Sequence, residues 1–507
     1  MTFDNPVLAG SHPDPSICRV GDDYYLATST FALFPGIALH HSRDLVHWRP
    51  IGGALDRPEQ LALDGVLMTD GIYAPTLRFH DGVFHLICTV IGADPAGNFV
   101  VTATDPAGPW STPVWIVDAP GFDPSLLFDD DGKVWYCGTF ERDPVSAPGR
   151  TTVWVQQIDP ASWQLTGERH FVWTGALVDA RWAEGPHLYR IDDSYYLLAA
   201  EGGTDYDHAV VVARSQAVTG PYEGCPRNPL LSSRHLGRCT DVVGPGHADL
   251  VQAPDGEWWA VLLAARPSDE DWWGTGRETF LVPMAWEGGW PVFVPGVGRV
   301  PMSSPGPSLT PHPWPAPPAR DDFGAAELGP EWSTLRTPRE RWWSLTERPG
   351  HLRLQLRPQT PYDLSNPSMV LRRVEHADWQ ATMALDFAPA AAGCRAGLVV
   401  WVNDTDQLRL ESDGLQVRVI RRAAGAESVL AAFPVRRGPL LLGVEAHGRK
   451  LTARVGTADG CWADDVAADI GFLGQQVNGY FFGMLVGPYA TGSEGVADID
   501  WFDYAEV

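Results

Sequence analysis

The chain has 507 residues and a formal charge of −26, from 63 Asp and Glu against 37 Lys and Arg. A surface that acidic repels phosphate backbones and anionic lipid, which argues against nucleic-acid and membrane partners. Hydrophobic residues at 44% and charged residues at 20% suit a globular protein with sizeable cores and exclude disorder as the main state.

The opening stretch, MTFDNPVLAGSHPDPS, has neither a basic n-region nor an apolar h-region, and no apolar run approaches membrane-spanning length. Seven cysteines (18, 88, 137, 225, 239, 394 and 461) are an odd number, widely spaced, with no C-x-x-C. Neither a disulfide framework nor a structural zinc site is expected. Together these features predict a cytoplasmic protein.

From residue 14 onward one phrase recurs five times: an apolar pair, a few polar residues, an acidic or Gly turn, then an aromatic-rich run. It reads DPSICRVGDDYYLAT from Asp14, APTLRFHDGVFHLIC from Ala74 and DPSLLFDDDGKVWYC from Asp123. It returns as EGPHLYRIDDSYYLL from Glu184 and HADLVQAPDGEWWAV from His247. Each phrase predicts a hairpin closed by a two-residue D-G-like turn, near Asp22, Asp81, Asp131, Asp192 and Asp255. The turns lie 50 to 63 residues apart, which leaves room for two more strands in each interval. Five four-stranded blades make a five-bladed β-propeller over residues 1–300. A single large β-sandwich is the weaker alternative, because one phrase repeated five times is hard to obtain by chance. The abundance of glycine (52) and proline (44) fits a turn-rich β protein. The 22 tryptophans offer flat apolar faces for cores or for stacking on a sugar ring.

Residues 301–320, PMSSPGPSLTPHPWPAPPAR, carry eight prolines and predict an extended, semi-rigid linker. Beyond it, runs such as HLRLQLRP, AGLVVWVN and VADIDWFDY alternate with period two. They predict a β-sandwich, jelly-roll-like, over 321–507, so the chain as a whole is all-β with few helices.

The first strand of a propeller blade lines the central channel. If the five phrases are equivalent, Asp14, Ala74, Asp123, Glu184 and His247 converge at one mouth of it. Clustered carboxylates raise one another's pKa, so that one stays protonated as an acid while another remains a base. Such a pair across a glycosidic bond is the equipment of glycoside hydrolysis. No G-x-S-x-G elbow, phosphate loop, H-E-x-x-H or dinucleotide fingerprint competes with that reading.

The stretches NPVLAGSHPDPSICRVGDDYYLATSTF, FPGIALHHSRDLVHW, GIYAPTLRFHDG, GFDPSLLFDDDGK, WAEGPHLY, AAEGGT, GHADLV and GRETFLVPMAW resemble glycoside hydrolase family 43. The branch is that of β-xylosidases and α-L-arabinofuranosidases with a C-terminal β-sandwich. The resemblance implies an inverting exo-hydrolase of terminal β-D-xylosyl or α-L-arabinofuranosyl residues on small oligosaccharides. An arabinanase and a non-catalytic carbohydrate-binding propeller are the alternatives. It also implies that Asp14 is the general base, Glu184 the general acid, and Asp123 the group that tunes and positions Glu184. Phe31, Tyr73 and Phe122 would wall the sugar subsite, and Arg277 in G-R-E-T-F would bind hydroxyls; many relatives carry Trp where Tyr73 stands. Phe481 in NGYFFGMLVG, preferred over Phe482, would lid the pocket from the second domain. His247 would bind substrate and lie near a calcium ion in the channel, a structural extra and no requirement for catalysis. A homo-oligomer is in keeping with the same relatives.

Overall fold

The computed structural model describes residues 2–238, 240–269, 271–435, 438–457, 460–479 and 481–507; Cys239 and Tyr480 of the sequence motifs lie outside the described residues. Five antiparallel sheets follow one another along the chain, each built from a contiguous stretch of sequence. Their innermost strands are Ser16–Val20, Thr76–His80, Phe122–Phe128, Glu184–Ile191 and Val243–Gln252, which are the five repeated phrases. Next come Asp23–Thr28, Val83–Ile91, Val134–Glu141, Ser194–Glu201 and Trp258–Ala265, rich in the aromatic and β-branched residues that suit a buried pleated surface.

The turns are tight in three blades only. Val20 pairs with Asp23, His80 with Val83 and Ile191 with Ser194, leaving two residues between them. In blades three and five the partners are Phe128 with Val134 and Gln252 with Trp258, so residues 129–133 and 253–257 form longer loops. There the carboxylates of Asp129 and Asp131 take up loop amides, which a two-residue turn would have no room to offer.

Among the described residues no whole strand is exchanged between the first and last blades, but Leu8 bridges Thr279 of blade five. Phe3 and Leu8 also pack with Ile17 and Leu26 of blade one and with Trp259, Val261 and Leu281 of blade five. Asn5 fastens this seam through its amide, donating to the carbonyls of Leu281 (2.9 Å) and Pro301 (3.0 Å) and accepting from Leu281 N–H (2.9 Å).

The proline-rich stretch follows the propeller wall. Ser303–Pro305 pairs with Thr2–Asp4, His312 N–H donates to Asp44 (2.7 Å), and Trp314 packs on His41 and under Arg49. The second domain is two facing antiparallel sheets around Trp342, Trp379, Leu398, Leu442 and Phe502. One of these sheets crosses the domain boundary: its edge strand is Leu33–Phe34 of the propeller, paired with Ser333–Leu335. A single apolar core also runs across it, joining Phe31, Ile72 and Phe99 to Leu335, Met369, Trp401 and Phe482. Burying Phe482 fully there contributes about 1.5–3 kcal/mol. Among the described residues helix is confined to a 3₁₀ turn at Gly471–Leu473 and one α-turn at Gln475–Asn478.

Candidate active site

The five residues that open the repeated phrases, Asp14, Ala74, Asp123, Glu184 and His247, all line one small cavity on the propeller axis, with a volume of about 80 Å³. Three of them, Asp14, Asp123 and His247, have left-handed backbone, with φ of 55°, 53° and 48°. Each such residue costs on the order of 1–3 kcal/mol, strain of the kind concentrated at functional sites. The inner strands of blades three, four and five also slip register just after these positions, and bulges of this type re-aim side chains.

The three carboxylates sit in different electrostatic surroundings. Burial pushes the pKa of Asp14 up, but the Arg277 guanidinium, His247, the Ser29 hydroxyl and His208 outweigh it, and the net shift is downward. Arg277 Nη1 donates to Asp14 Oδ1 at 3.0 Å, Ser29 Oγ donates to Oδ2 at 2.6 Å, and His247 Nδ1 stands 3.8 Å from Oδ1. Asp123 accepts Gly185 N–H at 3.0 Å, yet burial and the charge of Asp14 push it up to about 6. Glu184 is raised well above the usual carboxylate range by burial and then by the charges of Asp123 and Asp14, with Arg277 opposing. One carboxylate is held ionised and another protonated, the separation that acid–base chemistry near neutral pH requires.

Phe31, Tyr73, Phe122 and Phe481 form the apolar wall. Phe481 stacks on Phe31 with ring centroids 5.9 Å apart and meets Tyr73 edge-on at 6.4 Å. The two adjacent phenylalanines divide their work: Phe482 is fully buried in the interdomain core, while Phe481 faces the cavity. Arg277 joins the domains here, donating from Nε and Nη2 to the Phe481 carbonyl at 3.2 and 3.0 Å and from Nη1 to Thr204 Oγ1 at 3.0 Å. The chains approach so closely that a Cβ on Gly276 would lie 2.5 Å from Gly483 N, so only glycine fits. All nine residues expected at the site line this one cavity. Sequence reading missed Thr204, His208 and Leu263, which also line it; Thr204 ends the AAEGGT stretch, but His208 and Leu263 carry no local signal.

The channel below His247 already holds a cation. Arg78 is bound to Asp249 through Nη1 (2.9 Å) and Nη2 (3.3 Å), and Nη2 also donates to His187 Nδ1 (3.0 Å). Ser16 Oγ (2.6 Å), Ile17 N–H (3.0 Å), Leu250 N–H (3.0 Å) and the Tyr189 hydroxyl complete the Asp249 shell. Calcium takes six to eight oxygen ligands, and here the Asp249 carboxylate is saturated by donors. Among the described residues no group of three or more His, Cys, Asp or Glu is placed to hold a metal ion. Among the described residues the lower channel thus offers a calcium ion near His247 no unengaged carboxylate.

A cluster of three carboxylates in one cavity on the axis of a five-bladed propeller, walled by aromatics and met by Phe481 of a sandwich domain, defines a glycoside hydrolase. Residues 3–291 match the glycosyl hydrolases family 43, and residues 320–505 match the β-xylosidase C-terminal concanavalin A-like domain. The chain belongs to glycosyl hydrolase family 43. It is 40% identical to a xylosidase/arabinosidase of Butyrivibrio fibrisolvens, over 99% of this chain and 98% of that one. It is also 40% identical to a non-reducing-end α-L-arabinofuranosidase of Bacteroides ovatus, over 99% and 94%. Among solved structures it superposes on a xylan β-1,4-xylosidase from Bacillus halodurans with a TM-score of 0.94 at 35% identity, covering 99% of this chain and all of that one.

Proposed function

We propose that the chain is an inverting exo-glycosidase that releases terminal β-D-xylosyl and α-L-arabinofuranosyl residues from short oligosaccharides. The observation that carries this reading is the opposite perturbation of Asp14 and Glu184 within one small cavity. Glu184, protonated, gives its proton to the departing glycosidic oxygen. Asp14, ionised, takes a proton from the water that attacks the anomeric carbon from the other face, and the configuration inverts in a single displacement. The negative charge of Asp123 keeps the proton on Glu184, and its hydrogen bond to Gly185 N–H anchors the chain beside the acid. Arg277 and His247 supply polar contacts to sugar hydroxyls, while Phe31, Tyr73 and Phe122 face the ring. Phe481 serves as the lid. Its stacking on Phe31 favours a blind pocket, hence exo-action, over the open groove an arabinanase needs.

Cytoplasmic location and homo-oligomeric assembly belong to the same proposal. The buried cysteines Cys18, Cys88, Cys137, Cys225 and Cys394, none of them in a disulfide, support the first, and light scattering tests the second.

The decisive experiment is hydrolysis of 4-nitrophenyl β-D-xyloside and 4-nitrophenyl α-L-arabinofuranoside side by side, with NMR detection of the first-formed anomer. Turnover with inverted product, lost in Asp14→Asn, is expected. Retained configuration or full activity in the variant would reject the base assignment, and no turnover of either substrate would favour the binding-only alternative.

A further inference from the structure

The sandwich domain holds a cavity of its own, with a volume of about 510 Å³, to which the propeller contributes no residue. That size is ordinary for a small-molecule site. Its floor comes from three neighbouring strands, Gln407–Ser412, Gln416–Ala423 and Ala426–Pro434. Alternation along the first two sends Leu408, Leu410, Val417 and Val419 into the core and turns Arg409, Glu411, Arg418 and Ile420 to the other face. Charged residues on the outer face of a sheet normally stand in water. Here Arg409 is 2% exposed and Glu411 7%, within a cavity whose remaining walls are the segments 358–362, 392–395 and 491–493. The strand Leu485–Thr491 starts three residues after Phe482 and ends at this cavity, a span of about 20 Å that separates it from the catalytic pocket.

The charges that line the cavity are unequal in number: Arg395, Arg409 and Arg418 face Glu411 and Glu427. Arg418 Nη2 donates to Glu411 Oε1 and Arg409 Nη2 to Glu427 Oε1, each at 2.7 Å, and the Tyr489 hydroxyl donates to Glu411 Oε2 at 2.9 Å. These bonds fix the guanidinium groups without using all their donors. Arg409 Nε, Arg418 Nε and the Thr360 hydroxyl have no hydrogen-bond partner among the described residues, and the Glu411 oxygen that pairs with Arg409 Nε stands 3.7 Å away, beyond hydrogen-bond reach. Two of these three atoms can only donate, so what they call for is an acceptor. A surplus cation in a chain of net charge −26 favours an anionic one, and a planar guanidinium suits a carboxylate. The rim is mixed. Ser493 offers an exposed hydroxyl, and the Tyr362 ring is held beneath the Arg409 and Arg422 guanidinium groups at 5.0 and 4.7 Å. Hydroxyls beside an aromatic ring suit a sugar, which presents polar edges and an apolar face.

We infer that this cavity is a second binding site, for a carboxylated sugar: a uronic acid whose carboxylate meets Arg409 and Arg418 and whose hydroxyls meet Thr360 and Ser493. Titration calorimetry of the full chain with sodium D-glucuronate, D-glucose and sodium acetate tests it. Glucuronate should bind saturably, about tenfold or more tighter than glucose, which lacks the carboxylate, and than acetate, which lacks the ring. Arg418→Gln should weaken glucuronate binding by about tenfold, the equivalent of one lost charged contact, while hydrolysis of the 4-nitrophenyl glycosides stays at the wild-type rate. Should Arg418→Gln fail to fold, the same titration is read from Thr360→Val, which keeps the shape and removes the hydroxyl. Absence of saturable glucuronate binding, or folded variants that bind it as the wild type does, overturns the site. Equal binding of glucose overturns the carboxylate, and equal binding of acetate overturns the sugar. A wild type that binds glucuronate but hydrolyses neither nitrophenyl glycoside upholds this site and overturns the glycosidase reading alone.

Discussion

Asp249 and Glu184 both lie along the propeller axis, and for each of them burial is the largest influence on the carboxyl and pushes its pKa up. For Asp249 the Arg78 guanidinium, His187 and the Ser16 hydroxyl reverse the shift, leaving it well below the ordinary carboxylate range. For Glu184 the strongest charge effects come from two more carboxylates, Asp123 and Asp14, which outweigh Arg277, and the shift stays upward. Burial alone therefore decides neither protonation state; the sign of the neighbouring charge does. The lower channel is a saturated ion pair that holds blades one, two, four and five together, whereas the upper mouth leaves Asp123 and Glu184 under-compensated and available for chemistry.

Substitution at each end should separate these roles. Glu184→Gln, which mimics the protonated form, should lower kcat/KM on an unactivated disaccharide by about 10²- to 10⁴-fold, the usual worth of a general acid. Its midpoint of thermal unfolding should hold or rise, because no buried charge is left unpaired. Asp249→Asn should do the reverse. It strands the Arg78 cation in the channel and costs roughly 3–5 kcal/mol of stability, read as a lower denaturant midpoint, with chemistry in the surviving folded fraction retained. Equal stability losses in the two variants would break the comparison.

Smaller effects should appear in the pH profile of kcat/KM. Its acid limb follows Asp14, which must be ionised, and its alkaline limb follows Glu184, which must be protonated. Arg277 lowers the pKa of Asp14, so Arg277→Ala should move the acid limb to higher pH. Asp123 raises the pKa of Glu184, so Asp123→Asn should move the alkaline limb to lower pH. Movement of both limbs in the same direction would contradict the assignment.

Much of this site was legible in the sequence because the propeller is a repeat. Once five phrases are aligned, Asp14, Asp123, Glu184 and His247 hold the same structural position, and convergence at the axis follows from closure of the ring. The aromatics Phe31, Tyr73 and Phe122 came with the motifs around them. Other features left no such trace. Arg78 and Asp249 are ordinary charged residues in two different phrases, 171 positions apart, and nothing local says they meet.

The sequence by itself determined the blade repeat, the domain order and which carboxylates open the repeated phrases, because periodicity and register are properties of the chain taken in order. Only the tertiary structure decided that Leu33–Phe34 extends the sandwich sheet and that Arg277 clasps the Phe481 carbonyl. These depend on how two domains dock, and docking is set by side chains hundreds of residues apart sharing one apolar core and one set of hydrogen bonds.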